Sequence, residues 1–179
     1  MKFCSNCGAA NQRRIPDGDH LARAVCTVCH TVHYENPRVV VGCVPEWQGQ
    51  VLLCRRAIEP RRGFWTAPAG FLEIGESLHD GATRETAEEA LAEVEIGSML
   101  SLVNVLHAAQ VHVMFRARMR SGRHGAGVES LETRLFDEAQ IPWEDLAFHS
   151  VRFALERYFG DRRQQREELH FHDILRRTH

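Results

Sequence analysis

Four cysteines in two tight pairs, Cys4-x-x-Cys7 and Cys26-x-x-Cys29, limit what the start of this chain can fold into. Eighteen residues separate the pairs, a spacing suited to a two-knuckle zinc site. Zinc favours four thiolates at about 2.3 Å in a tetrahedron. Residues 1–34 are rich in Cys, Asn, Arg and His and show no core-forming apolar pattern. A bound ion would have to supply the stability that apolar burial cannot. The segment therefore reads as a zinc ribbon with Cys4, Cys7, Cys26 and Cys29 as ligands. Cys26-Thr27-Val28-Cys29-His30 also matches a haem attachment pattern, but that chemistry leaves the first pair without a role. A dithiol redox pair would be expected beside a βαβ unit, and none is evident. Four cysteines also leave no open position for a catalytic water. His30 and His33 are expected as solvated loop residues, and Cys43 and Cys54, in apolar segments, as small buried hydrophobes.

After the connector Tyr34-Glu35-Asn36-Pro37 the character of the chain changes. Val39–Val44 and Gln50–Cys54 read as a hairpin turned at Gln48-Gly49. Arg55 to Gly75 reads as a long irregular loop, of the kind that usually carries function. A helix is expected from Leu78 to Ala92, with Ser77 as N-cap and Asp80 completing a capping box. Val94–Ile96, Met99–Leu106, Val111–Ala117 and Leu131–Phe136 are strand-like, and Asp145–Phe159 is an amphipathic helix after Pro142. The expected fold class is α/β, with one domain over residues 38–160. Residues 161–179 read as a charged, His-rich tail without a core face.

The stretch Gly70-Phe71-Leu72-Glu73-Ile74-Gly75-Glu76 is followed after seven residues by Arg84-Glu85-Thr86-Ala87-Glu88-Glu89. On a helix, Glu85, Glu88 and Glu89 fall within about 100° of one another. Thr83, Ala87, Ala90, Leu91 and Val94 fall opposite, on the side expected to pack into the core. Carboxylates at these spacings repel by about 0.2–0.5 kcal/mol per pair. A hard divalent cation turns that penalty into a binding site.

The segment resembles the Nudix box, Gly-x5-Glu-x7-Arg-Glu-U-x-Glu-Glu-x-Gly-U, where U is a bulky aliphatic residue. Gly70, Glu76, Arg84, Glu85, Glu88 and Glu89 match it. Thr86 stands where an aliphatic residue is usual and Leu91 where the box has glycine. The resemblance implies a Nudix α/β/α sandwich with a mixed sheet and Mg²⁺ or Mn²⁺ as cofactor, beside the structural Zn²⁺. It implies that Glu85, Glu88 and Glu89 coordinate the metal, aided by the backbone carbonyl of Ala69 or Gly70. Arg84 would orient Glu85, and Glu76 would support the loop or reach a metal through water. A further carboxylate would come from a later loop, either Glu129 or Glu132, with Glu132 preferred. Glu85 is one candidate for the general base. The implied reaction is hydrolysis of a diphosphate bond in a nucleotide derivative, giving a nucleoside monophosphate and a second phosphate product.

A zinc ribbon ahead of such a domain is similar to the arrangement in NADH pyrophosphatases. Those enzymes carry a downstream Ser-Gln-Pro-Trp motif that Ser101 to His107 lack, so FAD and ADP-ribose rank above NADH. Phe64, Trp65 and Phe115 could stack on a base or belong to the core. Two readings of other classes are a nucleotide-sensing regulator without turnover and a zinc-ribbon adaptor for nucleic acid. The acidic helix argues against the first. The second would draw on Arg13, Arg14, Arg23 and Arg38, yet a net charge of −2 gives no bulk attraction to nucleic acid. The polar start gives no secretory signal, and no apolar run approaches the roughly 18–20 residues of a spanning helix. The chain is expected to be cytoplasmic, not membrane-bound, and a homodimer, the commonest assembly.

Overall fold

In the computed structural model, which describes residues 1–175, the chain divides into one unit over Met1–Asn36 and a second beginning at Pro37. The first is an antiparallel sheet of β1 (Asn11–Arg14), β2 (Arg23–Cys26) and β3 (Val32–His33). Its buried side chains are Cys4, Ala24, Val25, Cys26 and His33, too little apolar surface to hold so short a segment.

The second unit runs through β4 (Arg38–Trp47), β5 (Gln50–Arg56), β6 (Trp65–Thr66), β7 (Ala69–Phe71) and α1 (Leu78–Ala90). It continues with β8 (Val94–Val105), β9 (Gln110–Met119), β10 (Ser130–Phe136), α2 (His149–Arg163) and β11 (His170–Ile174). The main sheet has the order β10-β5-β4-β9-β8-β11, with β6 paired to β5 and β7 to β4. It is mixed: β4/β9 and β8/β11 are parallel and the other pairs antiparallel. Gln48 and Gly49, at φ 50° and 89°, give the β4–β5 hairpin two positive-φ central residues, as a type I′ turn needs.

Strand alternation sorts the core into two layers. Val41, Cys43, Leu52, Cys54, Val113 and Phe115 face Ala82 and Ala90 of α1. Their neighbours Val44, Val51, Leu53 and Met114 face Val151, Ala154, Leu155 and Phe159 of α2. The result is the α/β/α sandwich with a mixed sheet. The capping box at the start of α1 is present in full, with Asp80 N donating to Ser77 Oγ at 3.2 Å and Ser77 N to Asp80 Oδ2 at 3.3 Å.

Three expectations need correction. The two strands expected between Val94 and Leu106 are one strand, β8, whose register with β9 shifts between Ile96 and Ser101. The helix expected from Asp145 begins at His149: Trp143–Asp145 make a separate 3-10 turn, and Ala147 N is held by Trp65 O at 2.7 Å between the extended Leu146 and Phe148. The segment after Gly160 is no bare tail: α2 runs to Arg163, and β11 adds to the edge of β8 from His170↔Ser101 to Ile174↔Val105. An ion-pair network seats it. Asp161 is buried and engages Arg116 of β9, His170 Nε2 at 3.0 Å and Glu168 N at 3.1 Å. Charge pairing thus does here what an apolar face does elsewhere.

His112 of β9 is partly buried, held between Ser150 Oγ at 2.8 Å and Gln110 Oε1 at 2.9 Å. Burial lowers its pKa from 6.5 to about 4. Because the unfolded chain takes up this proton first, stability should fall as pH drops from 6.5 towards 4, by about 3 kcal/mol at 1.36 per unit. Denaturant midpoints at both ends of that window should differ less for His112→Gln than for the parent, and equal differences would refute the assignment.

Candidate active site

In the first unit the sulfur atoms of Cys4, Cys7, Cys26 and Cys29 all lie within 4.8 Å of one another. Cys4 and Cys29 are 3.6 Å apart and Cys7 and Cys26 3.4 Å, near the edge of about 3.8 Å that a tetrahedron with 2.3 Å bonds requires. Backbone amides of Asn6, Val28 and Cys29 point at these sulfurs at 3.4 Å, and the Thr31 hydroxyl holds the Cys29 thiol down at about 5. The donor set fits zinc. His33, expected in solvent, is buried with Nε2 3.3 Å from Cys4 Sγ; His30 is exposed as expected.

In the second unit the loop before α1 lies close against the carboxylates. β7 lies along β4, with Gly70 opposite Val41, and carries Gly70 against α1. A Cβ on Gly70 would collide with both carboxylate oxygens of Glu85. Glycine is required there because the loop and the acid occupy adjoining space. Ala69 N, beside it, donates to Glu89 Oε2 at 3.1 Å.

The orientation of α1 bears out the expected packing at Ala90 and Val94 and corrects it elsewhere. Its buried residues are Gly81, Ala82, Glu85, Thr86, Glu89 and Ala90, while Thr83 and Ala87 are exposed and Leu91 is 60% exposed. Two of the three carboxylates thus face inward, and only Glu88 looks outward. Thr86 fits the aliphatic position because its hydroxyl is satisfied by Ala82 O at 2.8 Å, with Cys43 Sγ at 3.1 Å. Leu91 caps the helix at φ 47° and ψ 34°, a left-handed conformation in which a side chain is strained by about 1–2 kcal/mol. That is why glycine is usual there.

Arg84 ties the cluster together. Its Nε and Nη2 meet the two oxygens of Glu76 at 2.5 and 3.0 Å, and Nη1 reaches Glu85 at 2.7 Å and Glu88 at 2.9 Å. Nη2 also donates to Phe71 O at 3.1 Å, fixing the loop to the helix. Glu76 further accepts from Glu73 N at 3.0 Å, and Arg84 holds its carboxyl below the usual range. Burial pushes Glu89 up to about 7, and burial raises Glu85 as well. Burial outweighs the nearby arginines at both carboxyls, and a bound divalent cation would favour their charged forms. Among the described residues the cysteines alone bring three or more metal-ligating groups within 4.8 Å; here Arg84 and the Ala69 amide hold the carboxylates.

The later carboxylates separate clearly. Glu132 is paired with Arg55 at 3.0 Å on the exposed side of β10. Glu129 is the one whose charge acts on both Glu85 and Glu89. It follows a loop in which Gly125 N and Gly127 N donate to Ala90 O at 2.8 Å and Glu89 O at 3.1 Å. Of the aromatic candidates, Phe115 is core, Trp65 packs edge-on to Phe136, and Phe64 lies under Arg61. Phe71, which periodicity gave no reason to select, is 44% exposed beside Gly70 with Arg38 over its ring at 4.6 Å.

Loop, acid-lined helix and sandwich define a class: this chain belongs to the Nudix family. Residues 36–154 match the family described as NUDIX domain, and residues 2–35 match the zinc ribbon described as Nudix N-terminal. A solved NUDIX hydrolase from Nitrosomonas europaea is similar along nearly the whole length, with 50% identity, a TM-score of 0.94, and coverage of 97% of this chain and 99% of that one. The NAD-capped RNA hydrolase NudC of Vibrio parahaemolyticus is 36% identical over 91 residues, 50% of this chain and 32% of the relative. The ADP-ribose pyrophosphatase of Methanocaldococcus jannaschii is 26% identical over 113 residues, 61% of this chain and 67% of the relative. The matched part spans about a third of the first curated relatives, 32%, 29% and 34% of their lengths.

Proposed function

We propose that this chain hydrolyses the diphosphate bond of a nucleoside diphosphate derivative, with ADP-ribose and FAD ranked ahead of NADH. The observation that carries the reading is the inward face of α1. Glu85 and Glu89 are buried against the Gly70 loop, and Arg84 joins Glu76, Glu85 and Glu88. Glu85, Glu88 and Glu89 would hold Mg²⁺ or Mn²⁺, with Glu129 in the place first given to Glu132. When bound, the cation neutralises diphosphate oxygens and lowers the pKa of an attacking water.

The remaining work falls to the chain's own groups. Arg84 fixes the Glu85 carboxylate, the candidate to take the proton from that water. The Ala69 amide aims Glu89, and the Glu76–Arg84 pair keeps the loop at its distance from α1. Positioning of this kind supplies much of the rate in such reactions. The exposed Phe71 ring, backed by Arg38, offers a surface for a base. The four cysteines would hold Zn²⁺ as a structural ion.

The reading carries with it a cytoplasmic location, where the cysteines would remain reduced, and a small-molecule partner rather than nucleic acid. No helix among the described residues is long and apolar enough to cross a membrane. It also carries a homodimer, and a monomeric mass in light scattering at micromolar concentration would refute that part. The test of function is release of nucleoside monophosphate with Mg²⁺ from ADP-ribose, FAD, NADH, nucleoside triphosphates and NAD-capped RNA, the last suggested by the Vibrio relative's name. Cleavage of none of them would overturn the proposal.

A further inference from the structure

One cation near the carboxylates has no part in the arrangement described so far. Arg56 ends β5 and is only 9% exposed. Two residues back on the same strand, Cys54 packs with Ala82 and Ala90 of α1. The next residue, Ala57, donates its amide to Glu129 O at 2.8 Å, so the end of β5 is fastened to the loop that carries Glu129. The Arg56 side chain is fastened too. Its Nε donates to Pro60 O at 2.8 Å, and the guanidinium lies over the Phe148 ring at 5.0 Å. Its charge reaches Glu89 and opposes the rise in that carboxyl's pKa.

A guanidinium has five N–H donors, and this one spends a single donor on the protein. Among the described residues its two terminal nitrogens meet no acceptor, yet they are not sealed from solvent. A buried arginine stacked on a ring, with its fork open beside an acidic site, is unusual as a purely structural group. A diphosphate is itself an anion and must approach several carboxylates. A fixed cation beside that cluster would oppose the repulsion, and a planar fork matches phosphate oxygens in pairs.

We propose that Arg56 is the phosphate anchor of this site, its terminal nitrogens binding oxygens of the diphosphate that the acidic helix presents for hydrolysis. The proposal rests on the hydrolase reading and adds to it the residue that holds the substrate's anionic centre. The Pro60 carbonyl and the Phe148 ring preset the side chain, so little rotamer freedom is lost on binding. A lysine would keep the charge and lose the fork.

The test uses the full chain with Mg²⁺ and methylenediphosphonate, which cannot be hydrolysed, titrated by calorimetry. Arg56→Gln should weaken the dissociation constant at least tenfold, and Arg56→Lys should weaken it less. Arg62→Gln, an exposed arginine on the same loop, should bind as the parent does. With a cleavable substrate, Arg56→Gln should raise KM more than it lowers kcat. Parent-like binding by a folded Arg56→Gln protein would overturn the anchor, as would an equal loss in Arg62→Gln. Should Arg56→Gln not fold, parent-like binding by Arg56→Lys would overturn it instead. A parent protein that binds methylenediphosphonate but cleaves nothing removes the hydrolase reading and leaves the anchor. A parent that cleaves ADP-ribose with an unchanged KM in Arg56→Gln removes only the anchor.

Discussion

Glu88→Gln and Glu89→Gln should each lower Mg²⁺-dependent hydrolysis of the best substrate by about 10²-fold or more, because a misplaced nucleophile alone carries a penalty of that size. The two should differ in stability. Glu88 is exposed and held by Arg84, so its change should be nearly neutral. Glu89 is buried, its carboxyl is pushed up to about 7, and Glu85 repels it. The metal-free Glu89→Gln protein should therefore melt at or above the parent temperature, since a buried carboxyl repelled by Glu85 has been replaced by a neutral amide. Glu93→Gln, just past the end of α1, is the control and should turn over as the parent does. Parent-like rates in both Glu88→Gln and Glu89→Gln would show that α1 is not the metal site, and the proposed function would fall with it.

Cys7→Ser should have an effect of similar size on the other unit. Protein prepared without chelator is expected to hold about one zinc per chain, because the four sulfurs are already gathered within 4.8 Å. The variant should lose that zinc and with it the protection of amides in β1, β2 and β3. Val25 is the largest apolar side chain buried in that unit, so little else could hold it together. Amides of α1 and β9 should stay protected, since their core lies in the sandwich. Hydrogen exchange read by mass spectrometry separates the two regions. Zinc-free parent protein, or a variant whose ribbon amides remain protected, would refute the assignment.

How far the sequence could be read depended on the kind of force at each place. The capping box at Ser77 and Asp80 was legible because it is local and both partners lie within one turn. The hairpin at Gln48-Gly49 was legible for the same reason. The packing face of α1 was misread, because periodicity counts glutamate as a solvent residue. Glu85 and Glu89 instead turn inward, beside a glycine that leaves them room. His33 and β11 were missed for a related reason. One is buried against a thiol and the other is seated by Asp161 and Arg116, and pairs of polar groups leave no apolar stripe. Glu129 could not be separated from Glu132 by sequence alone. Three residues apart, they meet different neighbours because Glu129 lies in the loop ahead of β10, while Glu132 is on the strand and pairs with Arg55.

The glycine loop ahead of β10 sets a limit on how such a protein can be altered. Loops between strands ordinarily tolerate insertion, but this one stoppers the end of α1 through Gly125 and Gly127. A side chain at Gly127 would strike the Glu88 carbonyl. Any change in its length or bulk would push on the helix that bears three acids and would carry Glu129 with it. The segment between Ala57 and Gly63 is bound in the same way, since the Pro60 carbonyl holds Arg56 and the Ala57 amide holds Glu129 O. Both loops have to be kept nearly to the residue, so new substrate contacts are better sought by exchanging exposed side chains than by cutting backbone.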